Sequence, residues 1–316
     1  MISKATAEIL LLRIANTILL NAGKVQTGGL LNGKMGIALF LYHYAEINGN
    51  KVYGDFADEL LDEVLDGISS HTPSVDFAHG LTGIAWGICH LIEEKFIDAD
   101  TDILEEMETL FGKTDHADLI ADINNAPSFF SKGIYFTNRN NNEVLLHLLN
   151  ELNSPLTQHD GILPLGYLNS ILYTVLQVNI NMETFTDLLH MLYTRLLDSI
   201  KGKHYTFPDV LILTNLVRQL KQRQNSNLEY KKWEPLVRML NTDSLSGIFN
   251  MGIYDLVYDK LKSDESFILN KLETSDLEDQ INAMIKDVYR NIGVYNGLAG
   301  AGLTFLNYFH KQNETI

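Results

Sequence analysis

One short pattern recurs along the chain and constrains its fold more than any other feature. Gly33-Lys34-Met35-Gly36-Ile37-Ala38, Gly80-Leu81-Thr82-Gly83-Ile84-Ala85 and Gly297-Leu298-Ala299-Gly300-Ala301-Gly302 each place a glycine, a second glycine three residues on, and a small residue two further on. Gly161-Ile162-Leu163-Pro164-Leu165-Gly166 and Gly247-Ile248-Phe249-Asn250-Met251-Gly252 keep the first and last of these places. A repeat of this length signals an array of like units, each unable to bury its apolar face alone. Every copy is followed by an apolar stretch suited to a buried helix, such as Trp86 to Ile92 or Leu303 to Phe309. Glycine near the start of a helix costs about 1 kcal/mol relative to alanine. Its recurrence therefore calls for a reason, and close approach of helix ends around a common centre is the simplest.

Between these stretches lie amphipathic ones. In Tyr53 to Ile68, the residues Phe56, Leu60, Val64 and Ile68 recur at helical spacing with acids between them. Similar stretches run from Lys4 to Leu20, Asp102 to Phe111, Glu143 to Leu152, Met182 to Ile200, Tyr230 to Leu240 and Leu277 to Arg290. That gives seven outer helices. Seven inner partners follow if Phe129 to Phe136 and Phe207 to Leu220 are degenerate copies. The pattern predicts an all-α protein in one domain over residues 1–316, closed into a double ring or left as an open solenoid.

The glycine copies, with Gly29-Leu30-Leu31-Asn32 before the first and Asp76-Phe77-Ala78-His79 before the second, resemble the lanthionine synthetase C-like family. The resemblance implies an (α/α) toroid of seven inner and seven outer helices. It implies a central zinc, held by two cysteines and a histidine, that activates a peptide cysteine. The thiolate then adds to a dehydrated serine or threonine and closes a thioether ring. The family's Cys-His-Gly segment corresponds here to Leu245-Ser246-Gly247, and its other cysteine falls in a stretch that reads Thr206-Phe207-Pro208-Asp209. The ligand set is missing, so no metal and no cofactor are expected. The resemblance also gives an aspartate four residues before the second glycine, here Asp76, a part in the chemistry; its alternative is a helix N-cap.

Cys89 is the single cysteine. It excludes a disulfide framework, and its place nine residues into an inner helix marks it as a small core filler. The ten histidines show no pair at metal-ligand spacing on one helix, and His71 and His79 are separated by a loop through Pro73.

Lining up the copies shows a second pattern. The residue before the first glycine is Asn32, His79, Asp160, Ser246 or Asn296, polar in every copy. Helix capping accounts for Asn, Asp and Ser, but not for His79 or for His159 beside Asp160. If the inner helices start at one rim, these residues surround a mouth where helix N-termini favour an anion or a peptide carboxylate. The candidate catalytic residues are thus Asp76, His79, His159 and Asp160, with Asn32, Ser246 and Asn296 on the rim.

The net charge of −16 disfavours nucleic acid and anionic membranes and favours cationic peptides. Arg13 and Glu8 interrupt the apolar N-terminal run, and no stretch reaches the roughly 20 apolar residues of a membrane span. The expected setting is the cytoplasm. The expected partner is a peptide substrate or another protein of a peptide-modification pathway, with cyclase chemistry lost. Two alternatives stand beside this reading: a glycoside-active (α/α) barrel with Asp76 and Asp160 as its paired carboxylates, and a structural scaffold.

Overall fold

The computed structural model describes residues 4–70, 74–99, 102–111, 123, 127–178, 182–203, 205–223, 233–240, 246–259, 261 and 274–313. Among them there are helices and no strands. The inner helices are α2 (Lys34–Asn48), α4 (Leu81–Glu93), α6 (Ser131–Asn138), α9 (Leu165–Gln177), α11 (Phe207–Arg223), α13 (Met251–Val257, entered through the 3₁₀ turn Ile248–Asn250) and α15 (Leu298–Asn313). The outer helices are α1 (Lys4–Asn21), α3 (Lys51–Ser70), α5 (Asp102–Phe111), α7 (Asn142–Glu151), α10 (Thr186–Gly202), α12 (Glu234–Met239) and α14 (Thr274–Lys286); a short α8 (Asn153–Gln158) follows α7. The two stretches without glycine pairs are inner helices α6 and α11, as the pattern predicts.

Each inner helix packs on the next: α2 on α4, α4 on α6, α6 on α9, α9 on α11, α11 on the turn leading into α13, and α13 on α15. The step that decides between ring and solenoid is the last one. Helix α15 packs on α2 and on α1, so the first and last copies meet and the array closes into an all-α toroid. The inner helices are buried nearly all round. Every residue of α4 from Leu81 to Leu91 is buried, and so is every residue of α9 from Leu165 to Leu176. Outer helices bury one stripe each; α10 buries Leu188, Leu192, Leu196 and Ile200 at helical spacing. The buried side chains form one core running from Ala7 to Leu306.

The glycines act differently from the expectation of helix ends crowding a centre. The first glycine of each strong copy opens its helix: the carbonyls of Gly33, Gly80 and Gly297 accept from the N–H groups of Ile37, Ile84 and Ala301. The second glycine sits against its own approach loop. A β-carbon at Gly36, Gly83 or Gly300 would overlap the carbonyl oxygen of Leu30, Phe77 or Val294, six residues earlier in each copy. Close packing between inner helices is served by the third small position instead. A β-carbon at Gly252 would strike the backbone of α15 at Leu303 and Thr304, and one at Gly302 would strike the ring of Phe40 on α2.

Buried aromatic side chains meet across the ring. Phe129, ahead of α6, lies 5.6 Å between ring centroids from Tyr254 of α13, although these two inner elements are not neighbours around the ring. Phe77 joins from the second copy at 5.0 Å from Phe129, and Tyr173 of α9 meets Tyr258 at 4.9 Å. All five rings are buried.

The N-terminal run forms an outer helix, as the reading of Lys4 to Leu20 expects. The stretch Lys4–Lys24 is long and apolar enough, by length and composition, to cross a membrane. Here it forms outer helix α1, which buries Ala7, Leu10, Leu11, Ile14, Ala15 and Ile18 and packs on α15 and α14.

Candidate functional site

Three loops meet where the strong copies begin. The N–H of Leu31 donates to the carbonyl of Ala78 at 2.9 Å, and the N–H groups of Val294 and Tyr295 donate to the carbonyl of Leu31 at 2.8 and 2.9 Å. This backbone relay ties the first, second and last copies together and sets Asn32, His79 and Asn296 on one rim. All three side chains are exposed.

The second copy carries the densest polar cluster. Asp76 takes the N–H of His79 on Oδ1 at 2.7 Å and the hydroxyl of Ser74 on Oδ2 at 2.5 Å. Its side chain is only 10% exposed, against 45% for His79, whose Nδ1 lies 3.4 Å from the same Oδ1. The imidazole is thus oriented by a carboxylate on one nitrogen, while its Nε2 faces the side-chain amide of Asn32 at 3.5 Å. A half-buried carboxylate, an exposed imidazole and an amide in series form a donor and acceptor set open to a ligand. Asp76 is not a helix N-cap. Gly80 holds that place, and the carboxylate braces the loop before it.

Asn296 adopts a left-handed backbone (φ 53°), a conformation that asparagine tolerates better than most residues. It is held there by buried Asn250, which donates to Asn296 Oδ1 at 3.0 Å and accepts from its N–H at 2.6 Å.

His159 and Asp160 belong to a different arrangement from the one the repeat suggests. The fourth inner helix does not start after Gly161. It starts at Leu165, with Pro164 as its N-cap, so residues 161–164 form an added loop. The pair is therefore out of phase with Asn32 and His79. Arg195, on outer helix α10, holds this segment by donating to the carbonyls of Leu156 at 2.5 Å and His159 at 2.8 Å. Asp160 is exposed, and no hydrogen bond among the described residues joins it to Asp76. Ser246 is exposed, and its carbonyl accepts from the N–H of Phe207 at 3.0 Å. Leu245 and His71 lie outside the described residues.

The sequence Thr206-Phe207-Pro208-Asp209 turns back on itself at the start of α11. Asp209 Oδ2 accepts from both the N–H and the hydroxyl of Thr206 at 2.8 Å, satisfying donors at the start of α11. Its Oδ1 receives the hydroxyl of Tyr254 at 3.4 Å. Burial pushes the Asp209 carboxyl above the usual carboxylate range, against the opposing pull of these hydrogen bonds. The same burial, with Asp209 beside it, pushes the Tyr254 phenol well up.

Residue reasoning missed a second histidine pairing. His43 on α2 and His90 on α4 face one another, Nε2 to Nε2, at 3.0 Å, and His90 stacks on Trp86 with centroids 5.4 Å apart. Burial, and secondarily His43, push His90 down to about 3. Both follow their copy's first glycine by ten residues, a coincidence visible in the sequence once the copies are aligned. Cys89 is buried, and burial with Glu93 nearby pushes its thiol up to about 12. Among the described residues no group of three or more His, Cys, Asp and Glu has metal-binding geometry.

Residues 24–125, which contain the first two glycine copies, Asp76 and His79, match the family described as lanthionine synthetase C-like protein. This segment is similar to the lanthionine synthetase C-like family. The matched segment carries the rim cluster of Asn32, Asp76 and His79. No curated protein matches the chain.

Proposed function

We propose that this lanthionine synthetase C-like protein binds or presents a peptide within a cytoplasmic peptide-modification pathway, without zinc-dependent cyclase chemistry of its own. The observation that carries this reading is the environment of Asp209. Where the resemblance implies the family's first cysteine ligand, this chain has a carboxylate already engaged by Thr206 and Tyr254. Where the resemblance implies the histidine, exposed Ser246 has only a hydroxyl. A zinc site of the Cys, Cys, His type needs thiolate and imidazole donors at about 2.0–2.3 Å, and these residues do not fit it. Tyr254, which donates to Asp209, packs against the buried rings of Phe129 and Tyr258.

The rim is the binding surface in this reading. His79 and Asn32 present exposed hydrogen-bonding groups on a backbone frame tied together across three copies, and Asn296 lies on the same frame. Such a rigid frame lowers the ordering cost of holding a peptide. The acidic surface favours a peptide with basic residues. The paired-carboxylate alternative needs Asp76 free to act on a sugar, whereas both of its oxygens are engaged by its own loop.

The test is elemental analysis of the purified protein together with a cyclisation assay on a dehydrated, cysteine-containing peptide. The expected result is substoichiometric zinc and no thioether formation with added zinc, alongside measurable binding of the same peptide. Zinc bound one to one, with ring closure lost in Asp209→Ala, would overturn the reading.

A further inference from the structure

A cavity of about 370 Å³ opens beside the rim, between the end of α1 and the turn that leads into α15. That size is within the about 300–1,000 Å³ range of small-ligand sites. Its lining includes Lys24, Arg290, Tyr289 and the side-chain amides of Asn21, Gln26 and Asn32, and among the described residues it includes no carboxylate. This composition is opposite to that of the molecule, which has 40 acidic against 24 basic residues. Two cations thus line one concave wall of an otherwise acidic protein, with the Asp287 carboxylate near one of them.

The geometry leaves the cations available. The Lys24 ammonium donates to the Tyr289 hydroxyl at 2.8 Å while lying 5.0 Å from the ring centroid. It therefore stands at the hydroxyl end of the ring rather than over its face, and it keeps two further N–H groups for a ligand. Arg290 lies 3.8 Å from Asp287, an exposed pair beyond hydrogen-bond distance, and its side chain is 84% exposed. Asn32 belongs to both the cavity wall and the rim cluster through its contact with His79.

We propose that this cavity binds a carboxylate group of a peptide, with Lys24 and Arg290 as the charged donors and the three amides holding the adjoining backbone. Charge-assisted hydrogen bonds from an ammonium and a guanidinium are the strongest available to a protein carboxylate ligand. The amides suit the N–H and C=O groups on either side of it. The peptide as the source of that carboxylate rests on the peptide-binding reading above; the anion site itself does not.

The experiment uses the full chain and the probe acetyl-Ala-Ala-Glu-Ala-Ala-amide, compared with its Gln counterpart and with inorganic phosphate, followed by NMR titration. The Glu peptide is expected to bind about ten-fold more tightly than the Gln peptide, with an advantage that shrinks as salt rises. The double variant K24Q/R290Q should erase that advantage while its thermal melt stays at the parent value, since both side chains are exposed. Equal binding of the two peptides, or an advantage that survives in the double variant, overturns the proposal. Phosphate that displaces the Glu peptide at equal concentration would overturn the carboxylate assignment and make the site one for phosphate. His79→Ala separates the two readings. If it leaves peptide binding intact while K24Q/R290Q abolishes the Glu preference, the rim reading fails and the cavity stands; the reverse pattern removes the cavity and keeps the rim.

Discussion

Gly83 lies against the carbonyl oxygen of Phe77, with no room between them for a β-carbon. The contact folds the approach loop over the first turn of α4 and places Asp76 and His79 at the rim. The identical contact pairs Gly36 with Leu30 and Gly300 with Val294. Replacing Gly83 or Gly300 by alanine should destabilise the protein by several kcal/mol, because the obstructing atom is backbone and the loop must move. Gly67, whose β-position is open, is the control; in helix α3 alanine there should be neutral or stabilising by up to about 1 kcal/mol. Urea unfolding of the three variants checks this, and equal stabilities would remove the loop contact as the reason for the repeat.

The His90 imidazole ties stability to pH. Its folded value of about 3 lies below its ordinary 6.5. Above pH 6.5 neither state binds the proton. Below it only the unfolded chain does, so stability is lost as pH falls from about 6.5 towards 3. At pH 5.5 the loss from this one group is about 1.4 kcal/mol. His90→Phe, which keeps a ring on Trp86, should lose that much less between pH 7.5 and 5.5. Parallel pH profiles for the two proteins would show that His90 titrates normally.

Asp209 is expected to behave as a buried capping acceptor. Asp209→Ala leaves the Thr206 donors and the Tyr254 hydroxyl without their acceptor and should cost about 2–3 kcal/mol. Asp209→Asn keeps an acceptor for Thr206 and removes a buried charge, so a change within about 1 kcal/mol is expected. Thermal melts of both decide the matter; an asparagine variant as unstable as the alanine one would mean that the negative charge itself is required.

At the rim, Asp76 and His79 should separate stability from binding. Asp76→Ala removes the acceptor of two loop hydrogen bonds and should cost about 1–2 kcal/mol. His79→Ala, at an exposed side chain, should leave stability within about 0.5 kcal/mol while weakening peptide binding. Binding unchanged in His79→Ala, measured by calorimetry at matched fractions folded, would remove the imidazole from the proposed surface.

Much of the architecture is legible in the residues because the repeat is imposed by backbone contacts that only glycine permits. Inner helices α6 and α11 lack those glycines, yet their place in the alternation of apolar and amphipathic stretches is enough to find them. The register of the fourth copy is not legible. Pro164 starts α9 as effectively as a glycine, and the pattern gives no sign that 161–164 form a loop, so His159 and Asp160 align with residues they do not match in space. For Asp76 the residues leave a cap beside a part in chemistry, because aspartate before a helix usually caps it; the cap is Gly80, and the carboxylate turns back onto the His79 N–H, a contact the spacing does not reveal. The contact of His43 with His90 needed two neighbouring helices in register, which spacing along one helix cannot reveal.

The packing of α15 on α2 has a consequence for chain connectivity. An open array has two terminal units, each exposing a face that needs a polar cover. A closed one has none, and every unit is flanked on both sides. The order in which the units are threaded is then arbitrary to the packing. A circular permutant that links α15 to α1 and opens the chain between exposed Gly161 and Ile162 should rebuild the same circuit of contacts, whereas excising one inner and outer pair should expose two apolar faces at once.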